Sequence, residues 1–168
     1  MKTLLDGILK AVNSLRTTLS ANGCKLVQDI AISAGSGWTG GLDPSMIDIL
    51  LQNLIKLCCN TKNLAAENGN ATVIAILTNV PYSARLLQHI WHACDHKNAK
   101  PRTYGSGWLK TILTKHGHHK NTLEHAGGIE LIEKCIRKGL GDANPGVREG
   151  MRGTFWAFTQ LWPERSQV

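Results

Sequence analysis

Two clusters carry residue types that bind transition metals: His89-x-x-His92-x-Cys94-x-His96, and His116-x-His118-His119 with His125 beyond. Imidazole and thiolate at short spacing are zinc ligands, and His89 and His92 share a helix face at i, i+3. A zinc site needs four placed ligands, and neither C-x-x-C nor H-E-x-x-H accompanies the clusters. They are expected as core or surface histidines, the second group in a solvated loop whose positive charge grows in mild acid. Gly35-Ser36-Gly37-Trp38-Thr39-Gly40-Gly41 satisfies G-x-G-x-x-G, which cradles a pyrophosphate only between a strand and a helix that starts inside it. Residues 25–34 before it read as helix and the next helix starts after it, so a link between helices is expected. No G-x-S-x-G, no paired carboxylates in a glycine-rich loop and no phosphate-binding lysine motif is present. The expectation is a chain that is not an enzyme and that uses no metal or other cofactor.

Cys58-Cys59 reads as a pair of buried small side chains, since adjacent cysteines rarely meet disulfide geometry. The five cysteines, Cys24, Cys58, Cys59, Cys94 and Cys135, form no regular framework, which suits reduced thiols in a cytosolic or nuclear protein. Asn70-Ala71-Thr72 is a glycosylation pattern placed inside a helix, and the charged start Met1-Lys2-Thr3-Leu4-Leu5-Asp6 does not read as a secretory leader. No apolar run approaches the roughly 18 residues that cross a bilayer. With 168 residues, 18.3 kDa, 42% hydrophobic residues and a mean hydropathy of -0.14, one compact unit is expected.

The elements that must position these residues read as helices. Leu4, Leu5, Ile8, Leu9 and Val12 fall at i, i+3, i+4 spacing, as do Met46, Ile47, Ile49, Leu50, Leu54 and Leu57. Asp43-Pro44 supplies an N-cap and a first-turn proline ahead of the second run. Further apolar runs occupy 64–80, 82–94, 108–113, 129–140 and 147–162, with turn-rich segments at 35–43, 95–102, 117–128 and 141–146. Only 71–77 also suits a buried strand. The tryptophans mostly lie at helical spacing among aliphatic residues and read as core, with Trp38 the one placed for exposure.

A repeat runs through these helices. Basic residues are expected at or just before the start of every second helix, at Arg16, Lys62, Arg102 and Arg148, with glycines at Gly23, Gly69, Gly107 and Gly153. The intervals are 46, 40 and 46 for the cations and 46, 38 and 46 for the glycines. A period of about 40–47 residues holding two helices is that of HEAT or armadillo repeats. Helix-interior glycine costs about 1 kcal/mol, so its recurrence predicts close backbone approach. The expected fold class is all-α, a solenoid of about four HEAT-like hairpins at 2–34, 43–80, 82–116 and 126–162, whose internal turns line one edge. Net charge is +7, with 6 Lys and Arg against 5 Asp and Glu in residues 1–80 and 13 against 7 in 81–168. That balance favours an acidic partner without choosing among nucleic acid, anionic membrane and protein.

Residues 132–148, ending Gly141-Asp142-Ala143-Asn144-Pro145-Gly146-Val147-Arg148, are followed by Arg152-Gly153-Thr154-Phe155-Trp156-Ala157-Phe158 and Leu161-Trp162-Pro163. This stretch resembles the final HEAT repeat of a TOG domain of the CLASP (Orbit/Stu) family of microtubule regulators. Ile55-Lys56-Leu57, Asn60-Thr61-Lys62 and Gly69 are similar to an interior repeat. Six repeats make up that domain in the family, so the chain resembles its C-terminal four. The resemblance implies that αβ-tubulin or the microtubule lattice binds to the turns inside each repeat. It carries this role onto Arg16, Lys62, Asn63, Lys97, Lys100, Arg102, Asn144 and Arg148, with the last turn less engaged. It also implies a place at the cytoskeleton and spindle, with spindle, kinetochore and nuclear associations, and neither membrane nor nucleic acid as the expected partner. Pro101, and a polar, histidine-rich segment at 114–128, depart from the family pattern. A HEAT-repeat protein scaffold and a basic nucleic-acid-binding repeat are the alternative readings.

Overall fold

The computed structural model describes residues 2–35 and 42–165. Among the described residues nine α-helices follow one another: α1 (Lys2–Val12), α2 (Thr17–Gly35), α3 (Pro44–Cys58), α4 (Asn63–Asn79), α5 (Ala84–Cys94), α6 (Ala99–His116), α7 (Lys120–Glu124), α8 (Gly128–Leu140) and α9 (Pro145–Leu161). Short 3-10 turns lie at His125–Gly127 and Pro163–Arg165, and no strand occurs among the described residues. The fold class is all-α and built of repeated helical hairpins, as the periodicity predicts. The chain divides into two compact units, Met1–Pro81 and Tyr82–Val168. Trp38 and the rest of the G-x-G-x-x-G stretch beyond Gly35 lie outside the described residues.

In the first unit, α1/α2 and α3/α4 are the two hairpins. Helix α3 starts where Asp43-Pro44 places it, with Asp43 extended (φ -61°, ψ 142°) and proline in the first turn. Leu50, Leu51 and Leu54 of α3 pack with Val73, Ile76 and Leu77 of α4, all 1% exposed or less. The strand-like stretch 71–77 is helical because Val73, Ile76 and Leu77 sit at i, i+3, i+4 and bury together. In the second unit, hairpins α5/α6 and α8/α9 enclose Leu86, Ile90, Trp108, Ile112, Ile132 and Phe158. Trp162 is buried as well, its Nε1 donating to Glu124 Oε1 of α7 at 2.6 Å.

The two units repeat position for position at an offset of 82 residues. Helix α4 meets α2 around Thr72, whose Oγ1 donates to Asn68 O (2.7 Å) and accepts from Gln28 Nε2 (2.9 Å). Its counterpart Thr154 donates to Gly150 O (3.2 Å) and across to Ser106 O of α6 (2.7 Å). Cβ atoms built at Gly23 and at its counterpart Gly105 would press on the facing helix, 2.7 Å from Val12 N and 3.0 Å from Cys94 Sγ. Gly69 similarly lies over Cys58, at 3.1 Å.

This register corrects the glycine marker. Gly107 has nothing within 4 Å of such a Cβ, and Gly153 meets only Lys110 Nζ at 3.7 Å. The close-approach positions are Gly23, Gly69 and Gly105. Met151 is the fourth, its bulk accommodated by Gly139 on α8, where an added Cβ would lie 2.4 Å from Met151 Cε.

Three further expectations change. Trp156 is 70% exposed rather than core, because it lies off the face of α9 that buries Val147, Met151, Thr154 and Phe158. Cys58 is buried but Cys59 only half-buried. The histidine-rich segment holds a helix of its own, α7, anchored by buried Leu123 and followed by left-handed Ala126 (φ 53°) and Gly127 (φ 76°).

Candidate functional site

Each hairpin closes through a four-residue turn, at 13–16, 59–62, 95–98 and 141–144. The second residue of each turn accepts a hydrogen bond from the backbone N–H of the fourth. Arg16 N donates to Ser14 Oγ (3.1 Å), Lys62 N to Asn60 Oδ1 (2.9 Å), Asn98 N to His96 Nδ1 (3.0 Å) and Asn144 N to Asp142 Oδ1 (2.8 Å). Side-chain acceptors two residues back are the local device by which Ser, Asn and Asp bend a chain. The fourth residue is also the N-cap of the second helix.

The last two turns are shorter than the connections read from the sequence. Lys100, Pro101 and Arg102 lie in the first turn of α6, and Pro145 and Arg148 in that of α9. Proline there removes no helical hydrogen bond, so Pro101 fits a regular hairpin. Arg16 and Lys62 stand at the helix starts, whereas Arg102 and Arg148 stand four residues past the N-caps Asn98 and Asn144. The four cations are therefore two structurally distinct pairs.

In the second unit the cations bind the protein itself. Arg102 Nη1 donates to His96 O (2.9 Å) and Lys97 O (3.0 Å), while Nε and Nη2 reach Asp142 Oδ2 and Oδ1 at 2.7 and 3.1 Å. The Arg102 and Asp142 side chains are only 17% and 7% exposed. The guanidinium holds the Asp142 carboxyl below the usual carboxylate range, helped by the Asn144 N–H, and Asp142 raises Arg102 in return. Arg148 Nη1 braces the last turn in the same way, on Asp142 O (2.7 Å) and Ala143 O (2.9 Å). A second link across the turns joins Lys138 Nζ to Asp95 Oδ1 at 2.6 Å, and lowers the Asp95 carboxyl. Lys134 lies 4.2 Å from the centroid of Trp91.

The first unit lacks these links. At the places of Arg102 and Arg148 stand Ser20 and Ala66; at those of Asp95 and Asp142 stand Asn13 and Asn60. Ser20 Oγ donates to Val12 O at 2.8 Å. A cleft of about 380 Å³ separates the two turns, lined by Asn13, Ser14, Leu15, Ser20, Lys56, Asn60 and Lys62, among others. Leu15 is 92% exposed at its mouth.

Of the residues singled out from sequence, Arg16, Lys62, Asn63 and Lys97 are exposed and Lys100 is half-buried. Asn144 caps α9, its Oδ1 accepting from Gly146 N at 2.9 Å. The first two turns meet at the cleft and the last two at the Arg102–Asp142 pair. Sequence reasoning missed Lys56, which lines the cleft from α3; its signal is the 82-residue offset that makes it the counterpart of Lys138.

Among the described residues no group of three or more His, Cys, Asp or Glu side chains is placed to hold a metal ion. Burial pushes the Cys58 thiol up to about 12 and raises that of Cys24; Cys135 rises through its hydrogen bond with Cys94 and burial. Such thiols are poor nucleophiles. Among the described residues no helix is long and apolar enough to cross a membrane.

Comparison with known proteins places this arrangement. The CLASP N-terminal family matches residues 1–168. Protein STU1 of Coccidioides immitis is 61% identical over 168 residues, covering 100% of this chain and 13% of that protein. Protein stu-1 of Neurospora crassa is 57% identical over 166 residues, 99% of this chain and 14% of its own length. Protein stu1 of Aspergillus oryzae is 57% identical over 165 residues, with 98% and 14% covered. The chain thus spans about a seventh of these relatives, and over its whole length it belongs to the CLASP N-terminal family.

Proposed function

We propose that the chain is a non-catalytic module that binds αβ-tubulin or the microtubule lattice through the turns inside its helical hairpins. In this reading it supports microtubule stabilisation and spindle function within a longer protein, at the cytoskeleton and spindle. The observation that carries the proposal is the identity of the first unit's N-cap residues. Arg16 and Lys62 occupy the positions that asparagine fills at residues 98 and 144. Asparagine accepts hydrogen bonds from the first helical N–H groups, as Asn98 and Asn144 do. A cation cannot accept them, and it faces the positive end of the helix dipole, an effect of about 0.3–1 kcal/mol. Folding alone favours asparagine there. Exposed cations at these places are best explained by an acidic partner, and family membership supports tubulin as that partner.

The second unit's larger positive excess favours any acidic partner and does not by itself select nucleic acid over an acidic protein surface. Arg102, Asn144 and Arg148 act in this reading as positioning residues that hold the turns in shape, with Lys97 and Lys100 the second unit's contact residues. The test is gel filtration of the chain with purified αβ-tubulin. The wild type is expected to co-elute. Arg16→Glu, Lys62→Glu and Lys97→Glu together are expected to abolish co-elution without changing the helical circular dichroism. Retained co-elution of the folded triple variant refutes the turn-based site.

A further inference from the structure

We infer that the cleft between the first unit's two turns seats an acidic side chain of the partner, whose carboxylate pairs with Lys56. This rests on the reading above, that the turns bind an acidic protein, and names the point of contact. The argument comes from the two copies of the same construction. In the second unit, Lys138 has a carboxylate within the chain, Asp95, at 2.6 Å. Asp142 supplies a second one, and Arg102 fills the space between the turns. The first unit keeps the lysine, as Lys56, and replaces both carboxylates by the amides Asn13 and Asn60. It replaces the filling arginine by Ser20, which turns back onto Val12 O.

What remains is a vacant volume of about 380 Å³ with Lys56 and Lys62 on its walls and no acidic residue in its lining. Among the described residues neither ammonium group makes an ion pair. An arginine from outside, the occupant that the second unit's geometry would suggest, meets two like charges and no carboxylate. A glutamate or aspartate side chain restores the pairing that the second unit makes internally, and exposed Leu15 gives its stem an apolar contact. A partly enclosed pair of this kind is screened less than one on open surface.

The test is fluorescence anisotropy of a labelled glutamate-rich peptide with the whole chain as wild type, Lys56→Gln, Asn60→Asp and Lys138→Gln. Asn60→Asp places a carboxylate in the cleft and keeps the turn acceptor, as Asp142 already does for Asn144 N. Lys138→Gln makes the same charge change in the internally paired copy. Lys56→Gln and Asn60→Asp are each expected to weaken peptide binding by about fivefold or more. Lys138→Gln is expected to stay within about twofold of wild type, and all variants to keep the wild-type circular dichroism. Unchanged affinity in Lys56→Gln and Asn60→Asp, an equal loss in Lys138→Gln, or no peptide binding by wild type overturns the inference. Tubulin co-elution of the same variants separates the two levels. If Lys56→Gln and Asn60→Asp co-elute like wild type while the Arg16/Lys62/Lys97 reversal does not, the cleft is excluded and the turn surface stands. Failure of wild type to co-elute refutes the tubulin reading, while the peptide titration still reads the cleft.

Discussion

Arg102 and Asp142, 40 residues apart in the chain, are joined by two parallel hydrogen bonds of 2.7 and 3.1 Å that bind one intra-hairpin turn to the next. The guanidinium also holds two carbonyls of its own turn, so a single side chain fixes the shape of both. At the corresponding positions of the first unit stand Ser20 and Asn60, and a cleft lies between the turns.

Arg102→Ala is expected to destabilise the protein by about 1–3 kcal/mol, since it leaves a 7% exposed carboxylate without its main partner. Arg102→Lys should recover only part, lacking the planar fork. The pH dependence follows from Asp142, whose carboxyl titrates lower in the folded than in the unfolded chain. Its stabilisation is present in full above the unfolded value of about 3.9 and is lost as pH falls through the lower folded value. The difference in urea midpoint between wild type and Arg102→Ala should therefore narrow below about pH 4, leaving the share due to the bonds to His96 O and Lys97 O. A constant difference down to the lowest pH reached would contradict this.

Glycines of α2 and α6, one from each unit, should respond with opposite signs. Gly23→Ala drives a methyl to 2.7 Å from Val12 N and 3.0 Å from Ala11 C, backbone atoms that cannot step aside, and a loss of about 1–3 kcal/mol is expected. Gly107→Ala meets nothing within 4 Å and gains helix propensity, about 0.5–1 kcal/mol. Thermal denaturation of the two variants checks both.

Tyr82 Oη is buried with no hydrogen-bond partner among the described residues, and burial pushes its pKa up to about 12. Tyr82→Phe removes a polar atom that folding desolvates without return, so stability should hold or rise by up to about 1 kcal/mol. In alkali the unfolded chain ionises near pH 10, the folded one only near 12, and stability falls across that window. In Tyr82→Phe this share of the alkaline loss should vanish. A drop of more than about 1 kcal/mol at neutral pH would mean that the hydroxyl is satisfied after all.

The cysteines should label in a fixed order. Cys24, Cys58, Cys94 and Cys135 are buried, whereas Cys59 is half-buried at the end of α3. With a maleimide at neutral pH, mass spectrometry should find Cys59 modified first in the native chain and all five in urea. Early modification of Cys58 would contradict the packing beneath Gly69.

Much of the fold was legible because its signals are local. Asp43-Pro44 marks the start of α3 by cap chemistry and fixed φ, and the 3.6-residue spacing of Val73, Ile76 and Leu77 decides α4 against a strand once both faces are considered. The 46-residue interval within each unit is real, but matching residues by charge set the units four residues out of step. Arg148 resembles Lys62 in type, while Asn144 is its counterpart in position. The roles of Arg102 and Arg148 were illegible for the same reason: a cation that caps carbonyls and one that faces solvent have the same letter. Lys56 is legible in the sequence only as part of a family-like motif, because its significance lies in the absence from its own hairpin pair of the two carboxylates that the other pair carries, visible only when the units are compared in register. Trp156 was misplaced because one aromatic in an apolar run falls on the wrong side of a helix whose exact rotation the run does not determine.

Four of the five tryptophans follow Pro81, and two of them, Trp108 and Trp162, are deep in the second unit's interior. Indole emission is thus weighted toward the C-terminal half, whereas far-ultraviolet ellipticity samples helices in both. Denaturation curves from the two signals report different populations, and any gap between their midpoints measures how independently the halves melt.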